Sequence, residues 1–323
     1  MATGKTAGKI DVTELSETNP SVTGPDLTGS DTAGPDVTMT ISGTVSGATA
    51  EVVIIRKCET LSEMQACFAL QKEVWKFADA DLIPVRMFVV AAKIGGHVIG
   101  AFVSRNDNKN VSKNDKRDKS DGSTNSDNEL IGFALAIPGM RNSHSYLHSH
   151  MLAVRQQYRN GGLGRRMKLH QREDALARGF ELMEWTFDPL EIKNAYLNIE
   201  KLGAIARRYN VNQYGITSSP LQGGLPTDRL VAEWWMKSER VGSVLADAPR
   251  AKFECRTHID VPAEIYEWKA DATTRAQALA VQASNREQFE RAFAEGLSVL
   301  GYERDQHGNG RFLLGEWDEG WRY

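Results

Sequence analysis

The run His150-Met151-Leu152-Ala153-Val154-Arg155-Gln156-Gln157-Tyr158-Arg159-Asn160-Gly161-Gly162-Leu163-Gly164-Arg165-Arg166-Met167-Lys168 passes from an apolar strand through a basic, glycine-rich turn into a helix. Such a turn lines up unpaired backbone N–H groups at the positive end of a helix, a ready site for phosphate oxygens. Glycine at 162 and 164 lets an oxygen approach the backbone closely. Arg155, Arg159, Arg165 and Lys168 place positive charge around the turn. The fold and the function both depend on which phosphate ligand the turn serves.

Outward from this run the chain alternates strand and helix. Upstream, Val52 to Ile55 and Val98 to Val103 have the β-branched, apolar character of strands, as do Leu130 to Ile137 and Tyr146 to Val154. Thr60-Leu61-Ser62-Glu63 is a capping box that opens one helix, and Pro84 precedes a second over Val85 to Ile94. Downstream, a helix from Leu163 to Arg178 ends at Gly179, and Leu182 to Phe187 form a strand. Asp188-Pro189-Leu190-Glu191 reads as a helix start, with Asp188 as its cap, and Ala204 to Val211 form a further strand. This order predicts an α/β (α+β) fold, a mixed sheet with flanking helices, over residues 51–215. Residues 216–323 read as a C-terminal α+β extension with strands at Leu230 to Met236, Lys252 to Val261, Leu297 to Tyr302 and Phe312 to Trp317, and a helix over Asp271 to Glu295.

Two segments depart from globular composition. Residues 1–50 hold no aromatic residue and are rich in Thr, Ser, Gly, Asp and Pro, so they read as a disordered tail, with a weak strand signal at Val37 to Val45. Residues 105–128 are almost wholly Asn, Asp, Lys, Ser and Gly and read as a disordered insertion at the tip of a hairpin. Net charge is −3 over 323 residues, which gives no basic field for nucleic acid. No apolar run reaches the roughly 20 residues of a membrane span, and the N-terminus has no export pattern. Cys58, Cys67 and Cys255 form neither a metal nor a disulfide framework, so a cytoplasmic location is expected. Oligomeric state is not legible.

Two common phosphate motifs fail at the turn. A Walker loop needs Lys-Ser or Lys-Thr after the last glycine, where Arg165-Arg166 stand. A dinucleotide fingerprint needs a different glycine spacing and a downstream acidic residue. Arg159-Asn160-Gly161-Gly162-Leu163-Gly164 instead fits Arg/Gln-x-x-Gly-x-Gly/Ala after a strand. This resembles motif A of the GNAT superfamily of acyl-CoA-dependent N-acyltransferases, and Asn194, Leu202 and Gly203 are similar to its motif B. Leu147 to Leu152, Thr186 to Leu190 and Gly224 to Arg229 are similar to a little-characterised branch of predicted GNAT acetyltransferases that carries a C-terminal extension. The resemblance implies that acetyl-CoA or another acyl-CoA lays its pyrophosphate on Asn160, Gly161, Gly162, Leu163 and Gly164, with Arg159 and Arg165 alongside. It also implies that backbone groups of Leu152, Ala153 and Val154 pair with the pantetheine arm and polarise the thioester carbonyl, with Asn194 and Asn198 as further contacts.

His148 and His150 alternate on the motif strand and so share a face. By resemblance, His148 stands eleven residues before Arg159, where histone-type relatives carry a carboxylate base. An imidazole with an ordinary pKa near 6.5 can take a proton from an ammonium substrate. The residues are equally compatible with hydrogen-bonded core histidines. A His-x-His metal pair has no third ligand beyond His144, and no metal is expected. The tyrosine that serves as general acid in many GNAT enzymes would fall at position 199, which is Ile199. Tyr196 is the nearest substitute, with Tyr209 and Tyr214 behind it. Asp188 is a candidate base beside the cleft, but its cap role already explains it; Glu184 and Asp228-Arg229 could serve substrate binding but read first as surface ion pairs, and Trp234-Trp235 read as core. Two functions follow. One is transfer of an acetyl or succinyl group to the amine of a small molecule such as an amino acid, by direct attack in a ternary complex. The other is a non-catalytic acyl-CoA-binding or regulatory protein, which the missing tyrosine motivates.

Overall fold

The computed structural model describes residues 37–41, 51–104, 128–215 and 217–319. The readings on 1–36, 42–50 and 105–127 lie outside the described residues. The strands are β1 (Val37–Ile41), β2 (Glu51–Lys57), β3 (His97–Ser104), β4 (Asn128–Arg141), β5 (His144–Val154), β6 (Leu182–Phe187), β7 (Ile205–Asn210), β8 (Arg229–Trp235), β9 (Thr257–Val261), β10 (Leu297–Arg304) and β11 (Gly310–Glu316). They join one sheet in the order β1-β2-β3-β4-β5-β6-β8-β7-β10-β11-β9. The helices are α1 (Leu61–Trp75), α2 (Val85–Lys93), α3 (Leu163–Ala177), α4 (Ile192–Tyr196), α5 (Glu239–Leu245), α6 (Ile265–Ala270) and α7 (Arg275–Ala294); a π turn, Leu197–Lys201, continues α4.

Local signals account for most of these elements. Thr60 Oγ1 accepts from the Glu63 N–H and the Glu63 carboxylate accepts from the Thr60 N–H, so the capping box that predicted α1 is formed. Within the stretch read as a disordered tail, Val37–Ile41, in which four of five residues are β-branched, pairs antiparallel with β2. The Asp188-Pro189 signal marks a turn rather than the first turn of a helix. Asp188 Oδ1 accepts from the Leu190 N–H (2.8 Å), Glu191 keeps a non-helical backbone, and α4 begins at Ile192. The predicted strand from Lys252 is confined to Thr257–Val261. Two short helices, α5 and α6, fall in text that showed no helical period, although Ser238 caps α5.

The strand after the Gly215 boundary is not peripheral. β8 lies between β6 and β7 and pairs with both antiparallel, so this stretch of the segment read as an extension is an inner strand. The sheet then continues through β10 and β11 to β9. Here β9 pairs with β11, whereas in the N-terminal half the strand before the helices, β2, pairs with the strand after them, β3. The C-terminal segment therefore does not repeat the N-terminal order. Its core centres on Phe289 of α7, edge-on to Phe312 and near-parallel to Tyr209 of β7, so it is packed onto the central strands.

One irregularity in β5 governs where its side chains go. β4 and β5 pair antiparallel, with Leu135 opposite Met151 and Ala136 opposite Ser149, so His150 is an extra residue without a partner. Before it, Leu147 and Ser149 face α3; after it, Leu152 and Val154 do. His148 and His150 thus point to the other face, where Met151 and Ala153 pack with residues of α1 and α2.

Candidate functional site

The turn entering α3 is open to a ligand. Gly162 is the N-cap at φ 79°, Asn160 has φ 63°, and no side chain caps the helix, so the first N–H groups of α3 face outward. A Cβ at 161 or 162 would meet nothing within 4 Å, and one at 164 would only touch Leu152 Cδ2 at 3.6 Å. Arg159 Nε donates to the Val154 carbonyl (2.9 Å) and Arg165 Nε to the Lys201 carbonyl (3.2 Å), which ties the turn to β5 and to the end of the π turn. Two cations grouped with the turn on sequence lie elsewhere. Arg155 is paired with Glu73 and Glu129, and Lys168 is buried.

The strand feeding this turn is free along one edge. β5 and β6 run parallel and pair at Leu147–Met183 and His148–Glu184; beyond these the strands separate, while β4 stays paired with β5 as far as Val154. Backbone groups of residues 149–154 therefore have no β6 ladder partner. The gap starts at His148 and Glu184 and runs toward the glycine turn.

These observations coincide with a family match: residues 114–196 match the Acetyltransferase (GNAT) family. This stretch of the chain is similar to a GNAT acetyltransferase domain. Among solved structures the chain is similar to the ribosomal-protein-S18-alanine N-acetyltransferase of Escherichia coli, at 15% identity over 58% of this chain and 97% of that chain, TM-score 0.38. It is also similar to Arabidopsis thaliana NAA60 in complex with acetyl-CoA, at 12% identity over 58% of this chain and 99% of that one, TM-score 0.42. An N-acetyltransferase from Staphylococcus aureus Mu50 gives 13% identity over 57% and 99%, TM-score 0.39. No curated protein matches the chain. Among the described residues no helix is long and apolar enough to cross a membrane.

On the face of β5 opposite α3, His148 and His150 stand with ring centroids 6.0 Å apart. Burial, helped by the neighbouring His150 and opposed by Glu184, lowers the pKa of His148 to about 4; burial also lowers that of His150. Both rings are neutral near pH 7. Among the described residues no cluster of three His, Cys, Asp or Glu side chains is arranged to hold a metal. Glu184 is not in a surface pair: it is 2% exposed and receives a bidentate Arg141 (2.6 and 2.9 Å) and Arg208. Arg208 continues to the buried Glu233 (3.0 Å), which also binds Arg207. Asp228 is likewise buried, accepting from Tyr209, the Asn212 N–H and Arg286. Arg141, Arg208 and Arg207 thus join Glu184 and Glu233 in one charge network next to the last β5–β6 pair.

Motif B is arranged differently from its sequence pattern. Ile199 is fully buried in the core. The Tyr196 ring has the Lys201 ammonium 5.5 Å and the Arg304 guanidinium 5.9 Å from its centre, so it lies against the C-terminal strands. Asn194 is exposed; Asn198 is buried, and its carbonyl accepts from the Ala204 N–H (3.0 Å). Trp234 is core, its indole donating to the Leu202 carbonyl (2.6 Å). Sequence reading missed Arg141 as a neighbour of His148, Arg208 and Glu233 as members of the Glu184 network, and Lys168 as an interior residue. On a helical projection Lys168 lies only about 20° from the buried Ala175, a signal that was available.

The low pKa of His148 makes an acid-stability prediction. An unfolded histidine titrates near 6.5, so between about pH 6.5 and 4 the unfolded chain binds a proton that the folded chain does not. The contribution is complete above pH 6.5 and is lost as pH falls through that window, by up to about 3 kcal/mol. His148→Gln should flatten the dependence. Urea unfolding of both proteins at pH 7 and pH 4.5 measures it, and identical slopes would refute burial as the cause.

Proposed function

We propose that the chain moves an acetyl group from acetyl-CoA to the amine of a small molecule such as an amino acid, with succinyl-CoA as the competing donor. The observation that carries this reading is the free edge of β5 running from His148 to the open glycine turn. CoA pyrophosphate lies on the N–H groups of Asn160 to Gly164. The pantetheine arm completes the β5 edge at Leu152 to Val154, with Asn194 and Asn198 from the other side of the gap. An N–H of the same edge stabilises the oxyanion formed on attack.

The amine reaches the thioester from the face opposite α3. His148, neutral and adjoining His150, takes the ammonium proton through water. Glu184 is ill suited to this step because two guanidiniums hold its carboxylate. The binding-only reading keeps one observation in its favour, the core position of Ile199.

A thiol-release assay separates the two. The protein is incubated with acetyl-CoA or succinyl-CoA and a panel of amino acids, polyamines and peptide N-termini. Amino-acid-dependent thiol release is expected, and His148→Ala should lower kcat by about 10²–10⁴-fold. CoA binding without amine-dependent release would establish the binding-only reading; release with peptides alone would overturn the small-molecule acceptor. Full activity of His148→Ala at every pH would remove His148 as base.

A further inference from the structure

Lys168 is 5% exposed and has no acidic partner among the described residues. Its Nζ donates to Ser149 Oγ (2.8 Å) and sits 3.7 Å from the centre of the Trp185 ring. Ser149 and Trp185 are the first residues after the last β5–β6 pair, His148–Glu184. The amine therefore bridges the two strands at the closed end of the gap, on the α3 side, with the acceptor face opposite.

A hydrogen-bonded chain fixes its orientation. His97 Nδ1 donates to Asp174 Oδ2 (2.8 Å), so His97 Nε2 accepts from Gln171 Nε2 (2.9 Å). Gln171 Oε1 then accepts from Ser149 Oγ (3.0 Å), which leaves Ser149 with only lone pairs for Lys168. Lys168 donates one N–H to Ser149, and its remaining N–H groups meet no side-chain acceptor among the described residues. A buried ammonium without a counter-ion is costly, and such groups concentrate at functional sites.

We propose that Lys168 contacts the sulfur of the bound acyl-CoA and protonates it as the thiol leaves. This rests on the acyl-transfer reading above. The amine lone pair forms the N–C bond, and the carbonyl electrons move to oxygen and return as the C–S bond breaks. Sulfur departs with that electron pair and takes a proton from the Lys168 ammonium. The acceptor's own proton leaves through His148, and Lys168 regains a proton from solvent once CoA has gone. Burial lowers the Lys168 pKa well below the usual lysine value, which makes the ammonium a ready donor. The titrating groups that sense it are His97 on β3 and His148 on β5; Gln171 and Ser149 are neutral, and Asp174 is already held by His97, Lys57 and Arg178.

The test compares CoA with desulfo-CoA, by calorimetry, in the wild type and Lys168→Met, alongside steady-state kinetics. Wild type should bind CoA about tenfold tighter than desulfo-CoA, and Lys168→Met should bind both alike. The kcat of Lys168→Met should fall about 10²–10³-fold with KM for acyl-CoA within a few-fold, and the alkaline limb of the wild-type kcat profile should disappear. Ser149→Ala, which removes the oxygen that aims Lys168, should shift each quantity the same way by less, and it carries the test if Lys168→Met does not fold. An unchanged CoA preference, or an unchanged kcat and alkaline limb, overturns the proposal while leaving acyl transfer intact. A wild type that binds no CoA overturns both.

Discussion

Gly164→Glu is expected to weaken CoA binding by about 100-fold, close to 3 kcal/mol, while leaving the unliganded protein as stable as the wild type or more so. The two effects have opposite signs because one position serves two purposes. Gly164 is the second residue of α3, and a Cβ there meets only Leu152 at ordinary contact distance, so the fold accommodates a side chain. Replacing a helical glycine gains up to about 1 kcal/mol, and a carboxylate in the first turn gains a further 0.3–1 kcal/mol from the helix dipole. The same carboxylate lies where the pyrophosphate would be held, so it competes for those N–H groups and repels the ligand. Gly162→Ala makes the contrast, since its φ of 79° imposes backbone strain on any Cβ, and it should lower stability by about 1 kcal/mol. Thermal unfolding without ligand and calorimetric titration with CoA measure both quantities. Unchanged CoA affinity in Gly164→Glu would show that the turn is not the phosphate cradle.

What the sequence made legible is local. A capping box, a glycine-rich corner and alternating apolar strands are set by neighbouring residues, and α1, α3 and the strands from β2 to β7 follow from them. The placement of β8 does not. Arg229 to Trp235 reads as a strand in any context, and only its two antiparallel partners, β6 and β7, fix it inside the sheet. The bulge at His150 is equally silent, because Met151 to Val154 is apolar throughout and carries no alternation that would reveal a change of face. Lys168 follows Arg165 and Arg166, which makes the whole segment look like a basic surface; its burial depends on β5 and β6 supplying Ser149 and Trp185. Glu184 and Asp228 were misread as surface groups for the same reason. A charge is placed inside by partners distant in sequence, here Arg141 and Arg208, and Arg286.

Lys269→Met tests whether the C-terminal segment buttresses the half that carries the glycine turn. Lys269 on α6 donates to Asp188 Oδ2 (3.0 Å) and Glu191 Oε1 (2.8 Å), the two acids that precede α4. Burial lowers the Lys269 pKa, but the two carboxylates outweigh it and hold the ammonium above the usual lysine value. Removing the amine leaves Asp188 buried without its cation, and a loss of about 3–5 kcal/mol is expected. Adding Asp188→Asn to Lys269→Met should recover part of that loss. The asparagine oxygen can still accept from the Leu190 N–H, while the uncompensated charge is gone. Because Asp188 and Glu191 set the start of the helix that carries Asn194 and Asn198, CoA affinity should fall with stability. Urea unfolding of the single and double variants decides it. A loss below about 0.5 kcal/mol, within the range of ordinary surface substitutions, would mean that α6 merely touches α4 and that the C-terminal segment is dispensable to the acyl-CoA site.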